Sequence, residues 1–205
     1  DSHLSRSLME TLGARPDVSP EVKNRVFNSL LGSWEKAALY RHAPGMPVGL
    51  PARSDSDLAS EPWYLAKYLG NAVSSENEQR LATIAASQPW MDSRASERDR
   101  WLQSAPLSET SILHMLKNAQ SSEVIRSIIS RPDFQPSWHD VLIARPEFQT
   151  TPDATDLRFS NSDYRDPFGR ENGNAFHNNL QEMVFNSPHL TDSQIANLLD
   201  VVGHS

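Results

Sequence analysis

Along this chain an apolar stretch repeatedly runs into a proline and is followed, within two residues, by another large apolar side chain. Ala14-Arg15-Pro16-Asp17-Val18, Ser130-Arg131-Pro132-Asp133-Phe134 and Ala144-Arg145-Pro146-Glu147-Phe148 are close copies; Ala105-Pro106-Leu107-Ser108 and Ser187-Pro188-His189-Leu190-Thr191 are looser ones. Proline lacks the N–H that a continuing helix needs and pushes its predecessor out of the helical region. In most copies a Ser or Thr follows, able to accept from the free N–H groups that open a new helix. The phrase predicts an all-α chain, an irregular array or bundle of about eight to ten short helices joined by proline turns.

The stretches between turns have helical periodicity. Leu4, Leu8 and Leu12 share a face; Ser19 caps a second helix with Pro20 at its first position and Val22, Val26, Phe27, Leu30, Leu31 and Trp34 along one side. Trp63, Tyr64, Leu65, Tyr68 and Leu69 form a bulky face, and a further helix starts at Ser74 or Ser75 with Leu81, Ile84 and Ala85. Leu107, Ser108 and Ile112 have the spacing of a hydrophobic staple around a cap. Ser122 opens the run Val124, Ile125, Ile128, Ile129, and Pro136 opens a short helix with Trp138, Val141 and Leu142. Phe176, Leu180, Met183, Val184 and Phe185 line another. Leu190, Thr191, Gln194 and Ile195 combine staple with capping box, and Leu198, Leu199 and Val202 complete the last helix. Helices this short are marginal alone, so packing on neighbours must stabilise them.

A single helical domain over residues 1–205 is expected, broken by a Pro/Gly loop at 43–53 and a polar insertion at 153–174, in which Phe159, Tyr164 and Phe168 are scattered among polar residues. The start at Asp1, without methionine, reads as a piece of a longer chain. No run approaches the roughly 20 apolar residues that cross a bilayer, which suggests a soluble protein.

A net charge of −7 argues against nucleic acid as partner. Arg94, Arg98 and Arg100 are interleaved with Asp92, Glu97 and Asp99, as on a solvated face. The absence of cysteine excludes disulfides, cysteine-based metal sites and thiol nucleophiles. The basic residues comprise 15 Arg and 4 Lys. A GC-rich genome would give that skew, and so would work beside the ubiquitin machinery, where lysines are modified.

No phosphate loop, HExxH motif, EF-hand or nucleophile elbow occurs. The seven histidines are dispersed without metal-ligand spacing, and no cofactor or metal is expected. His139 beside Asp140 and Asp133, and His177 among asparagines, are where a general base could be built; a core or surface histidine is the plainer reading. Asp153, Asp156, Asp163 and Asp166 lack the glycine and terminal glutamate of a calcium loop. Bulky residues do gather at the turns: Trp90, Met91, Leu107, Phe134, Trp138, Phe148 and Leu190. Each could plug the gap between two helices. As a set they could instead present a row of anchors, because aromatic residues and Arg are enriched at interaction hot spots. Arg131, Phe134, Trp138, Arg145 and Phe148 would then be the partner-binding residues.

The segment Ser121–Phe148, SSEVIRSIISRPDFQPSWHDVLIARPEF, resembles the irregular helical-repeat proteins, HEAT-like and leucine-rich-repeat-variant. The turn prolines Pro89, Pro106, Pro132, Pro146 and Pro188 are unevenly spaced, where solenoids keep a period. In style, cysteine-free, Arg-rich and helical, the chain resembles domains of Gram-negative type III effectors, including cysteine-free ubiquitin ligases of plant pathogens. That resemblance implies a protein-interaction domain delivered into a host cell and acting on a host protein. The alternative it implies is a ligase holding a charged ubiquitin-conjugating enzyme, with orientation supplying the rate. A hydrolase using His139 or His177 is a third reading.

Overall fold

The computed structural model describes residues 11–42, 62–87 except 64, 65 and 68, 96–149 and 173–203. Leu4, Leu8, the loop at 43–53, Tyr64, Leu65, Tyr68, Pro89 to Arg94 and the insertion, apart from Gly173 and Asn174, lie outside them. The fold is all-α, with no strand among the described residues. Residues 11–14 are helical. There follow α1 (Pro20–His42), a 3-10 turn (Gly70–Ala72), α2 (Ser75–Ser87), α3 (Ser96–Ser104), α4 (Glu109–Asn118) and α5 (Ser122–Ile129). A second 3-10 turn (Pro136–Trp138) leads into α6 (His139–Ile143), then α7 (Pro146–Gln149), α8 (Gly173–Phe185) and α9 (Asp192–Gly203). None is long and apolar enough to cross a membrane. Contacts cluster the chain into two compact units, 1–81 with 93–101 and 82–92 with 102–205.

In the first unit, Ser19 caps α1 by accepting the N–H of Val22 at 3.4 Å, and Phe27 and Leu31 are buried on its inner face. Asn24 ties α1 to the start of α2. Its side-chain oxygen accepts from the Ser74 N–H at 2.9 Å and from the Asn77 amide at 2.8 Å, and its amide donates to the Ala72 carbonyl. Ser74 caps α2 through the Asn77 N–H. Gly70 has φ +50°, a conformation other residues rarely adopt, with open space where a Cβ would stand. The rings of Trp63 and Trp101 meet at 5.2 Å.

The second unit is built on α4 and α5. Ser108 caps α4 through the Ser111 N–H, as the staple spacing suggests, and Ile112, Met115 and Leu116 are buried. Val124, Ile125, Ile128 and Ile129 make the inner face of α5. Both helices contribute to the packing around them: α4 meets α5 and α6, and α8 packs on α5, α6 and α7, burying Phe176, Leu180 and Val184. Thr191 and Gln194 form the expected capping box of α9, with Gln194 N–H donating to the Thr191 hydroxyl at 3.3 Å and Thr191 N–H donating to the Gln194 side-chain oxygen at 3.1 Å.

Candidate functional site

Arg131, Phe134, Trp138, Arg145 and Phe148 face inward, while Leu107 and Leu190 are half-buried and Trp90 and Met91 lie outside the described residues. Arg131 and Arg145 are 4% and 5% exposed, and Phe134, Trp138 and Phe148 are equally buried. The row of exposed anchors is therefore not on the surface; all five side chains are used to fill and tie the array.

Each arginine performs the same task. Arg131 donates from Nη1 to the Leu102 carbonyl at 2.6 Å and from Nη2 to the Ala105 carbonyl at 2.9 Å; Arg145 donates to the Leu116 and Ala119 carbonyls, both at 2.8 Å. These reach back 29 and 26 residues in both cases, to the C-terminal ends of α3 and α4. A helix end leaves carbonyls without intrahelical donors, and a planar guanidinium suits two at once. The acidic residue two positions on completes the clamp. Asp133 accepts from Nε and Nη2 of Arg131 at 2.8 and 2.9 Å, and Glu147 accepts from Arg145 at 3.4 and 3.3 Å. The Arg131 guanidinium holds the Asp133 carboxyl below the usual carboxylate range. Arg15 makes the same local fork with Asp17, but with both side chains more than half exposed. Arg145 also lies 5.1 Å from the centre of the Phe176 ring.

At Ser187-Pro188 the backbone repeats the turn. Asn186 N–H bonds to Glu182 O and Ser187 N–H to Val184 O, as Ser130 and Arg131 bond to Arg126 O and Ile128 O. Serine stands where the clamps have arginine, and its partner is His139, 2.8 Å from the Ser187 hydroxyl at Nε2. Nδ1 of His139 lies 3.1 Å from the Pro136 carbonyl, which can only accept, so the proton is on Nδ1 and Nε2 accepts from Ser187. Burial pushes the His139 pKa down, and His189 adds to this, while the Pro136 bond and Asp140 oppose it.

A serine donating to a neutral imidazole is the pairing that activates nucleophiles. Here it is sealed. His139 is fully buried with its ring edge-on to Phe134 at 4.9 Å, and the nearby N–H of His189 is directed at the Ser187 oxygen itself rather than at a place where an oxyanion could form. Gln194 closes the knot, donating to the Pro136 carbonyl at 2.8 Å and to Asp140 at 2.9 Å. His177 is likewise internal, with Nδ1 donating to the Glu147 carbonyl at 2.6 Å, while Gln181 one turn on donates to Phe148 O. The sequence pointed to both histidines but missed Ser187, whose signal was its place before the turn proline.

Elsewhere the described residues bring no three His, Asp or Glu side chains together to hold a metal. In the first unit Arg98 is buried on α3 and its Nε donates to the Asp99 carboxylate at 3.1 Å, while Nη1 and Nη2 make no hydrogen bond among the described residues. Burial raises the Asp99 pKa, opposed by Arg98.

What the array leaves outward is apolar surface at its C-terminal helices. Of the large hydrophobic side chains exposed among the described residues, Val22 is on α1, while Phe185 on α8 and Ile195 and Leu199 on α9 are 43%, 42% and 65% exposed. Gln194 and Leu198 are buried, so α9 is anchored along one side and bare along another. No protein-family model, curated protein or solved structure matches this chain.

Proposed function

We propose that this chain is a non-catalytic protein–protein interaction domain. The observation that carries the reading is that Phe185, Ile195 and Leu199, on the last two helices, are exposed, while the turn aromatics and arginines are spent inside. Apolar side chains held outward on an otherwise well-buried array are surface that a partner can cover. The histidines argue the same way from the other side, because His139 and His177 are both committed to interior bonds. The stylistic resemblance to secreted effectors makes a host protein the partner to seek.

The test is affinity capture from host-cell extract, followed by reconstitution of the complex from purified proteins. A stable complex that turns nothing over supports the reading, and failure to reconstitute any complex refutes it. Ubiquitin chains formed with one of a panel of conjugating enzymes would replace it with the ligase alternative.

A further inference from the structure

We infer that the outward face of α9 docks a basic amphipathic helix of a partner protein; this deepens the interaction reading and rests on it. On α9, Asp192, Ile195, Ala196 and Leu199 stand at i, i+3, i+4 and i+7 and are all exposed. That spacing is the apolar stripe by which a helix packs on a neighbour, here headed by a carboxylate. The opposite stripe is already engaged. Leu198 is fully buried, and Gln194 ties the helix to Pro136 and Asp140. α9 is thus held rigidly from one side, and its second stripe is available at no ordering cost to the helix itself.

Charge selects the occupant. From residue 171 to 205 the chain has Glu171, Glu182, Asp192 and Asp200 and not one Lys or Arg, although there are 19 in the whole sequence. Glu182, Asp192 and Asp200 are exposed on α8 and α9. An apolar ridge on a helix that carries exposed Asp192 and Asp200 and no Lys or Arg favours apolar anchors flanked by Lys or Arg, and a second copy of the same surface would bring carboxylates against carboxylates. A helix is the form that fits. Its i/i+3/i+4/i+7 ridges interdigitate with those of α9, and the described residues offer no strand edge for an extended peptide to extend.

The experiment is selection of a displayed library of helix-forming peptides, of mixed net charge, against the full chain. Selected peptides are then measured by fluorescence anisotropy against wild type, Leu199→Asp, Leu199→Ser and Asp192→Asn/Asp200→Asn. Enriched peptides are expected to be net positive with the helical apolar spacing. Each Leu199 variant is expected to weaken binding about tenfold or more, as loss of a central anchor does. The Asp→Asn pair is expected to weaken binding and flatten its salt dependence. Unchanged circular dichroism and urea midpoint keep the variants interpretable, since Leu199 is mostly exposed. Neutral or acidic peptides, or affinity within about twofold in both folded Leu199 variants, overturn the assignment to α9 while leaving an interaction domain that binds elsewhere. No enrichment at all overturns the helix-docking proposal, and the reconstituted complex then decides the broader reading separately.

Discussion

Replacing Arg145 by Met removes the clamp at the end of α4 while keeping most of the side chain's apolar stem. Two buried carbonyls, Leu116 O and Ala119 O, lose their donors. At about 1–1.5 kcal/mol for each bond lost, that is about 2–3 kcal/mol. The contact with the Phe176 ring adds about 0.5–1 kcal/mol, and the half-exposed Glu147 pair about 0–1 kcal/mol. The loss should be about 2.5–5 kcal/mol, read as a fall in the urea midpoint of about 1–2.5 M at m values near 2 kcal/mol/M. Arg145→Lys keeps the charge but cannot fork to two carbonyls, so it should lose about half as much. Arg131→Met should match Arg145→Met apart from the ring contact, because its bonds are equivalent. A loss under about 0.5 kcal/mol in both Met variants, or a Lys variant as stable as wild type, would refute the clamp as a stabilising device.

Arg15→Met, which breaks the same local fork at a surface turn, is expected to leave the urea midpoint unmoved. Gln194→Ala removes half of a capping box together with bonds to Pro136 O and Asp140, and should cost about 2–3 kcal/mol by denaturation. The folded-state pKa of His139 lies below its unfolded value of about 6.5, so the unfolded chain takes the proton first and stability falls as pH drops from about 6.5 towards the folded value. Denaturation between pH 7.5 and 5.5 should show that slope, flattened in His139→Gln; equal slopes would contradict it. Arg98→Met, which takes the guanidinium away from a part-buried carboxylate that accepts from its Nε, is expected to lower the thermal unfolding midpoint. A midpoint equal to that of wild type would show that the pair does not stabilise the fold.

The sequence was most informative where a structural signal spans three or four residues. The caps at Ser19, Ser108 and Thr191 with Gln194 form between near neighbours, and the spacing alone specifies them. Proline likewise marks a helix boundary through its own chemistry, closing one helix and opening the next as Pro146 does. The direction of a turn side chain is another matter. Arg131 and Arg145 reach carbonyls 26 and 29 residues away, and Ser187 reaches His139 across 48, so their burial depends on long-range packing that no local pattern encodes. The same arginines would suit a hot spot or a helix clamp. Ile195 and Leu199 are the converse case: an apolar stripe has the same period whether a neighbour covers it or not, and only the packing of Gln194 and Leu198 shows which side of α9 is engaged.

Phe134, Trp138 and Phe148 build the interior, while the C-terminal helices leave Phe185, Ile195 and Leu199 exposed. Hydroxyl-radical footprinting of the full chain tests this division, because oxidation of each side chain reports its access to solvent. Leu199, Ile195 and Phe185 should be modified readily, and Phe134, Trp138 and Phe148 protected to the level of Leu116. Ready oxidation of the three turn aromatics, with Leu199 and Ile195 protected, would contradict the account and return the partner-binding surface to the turns.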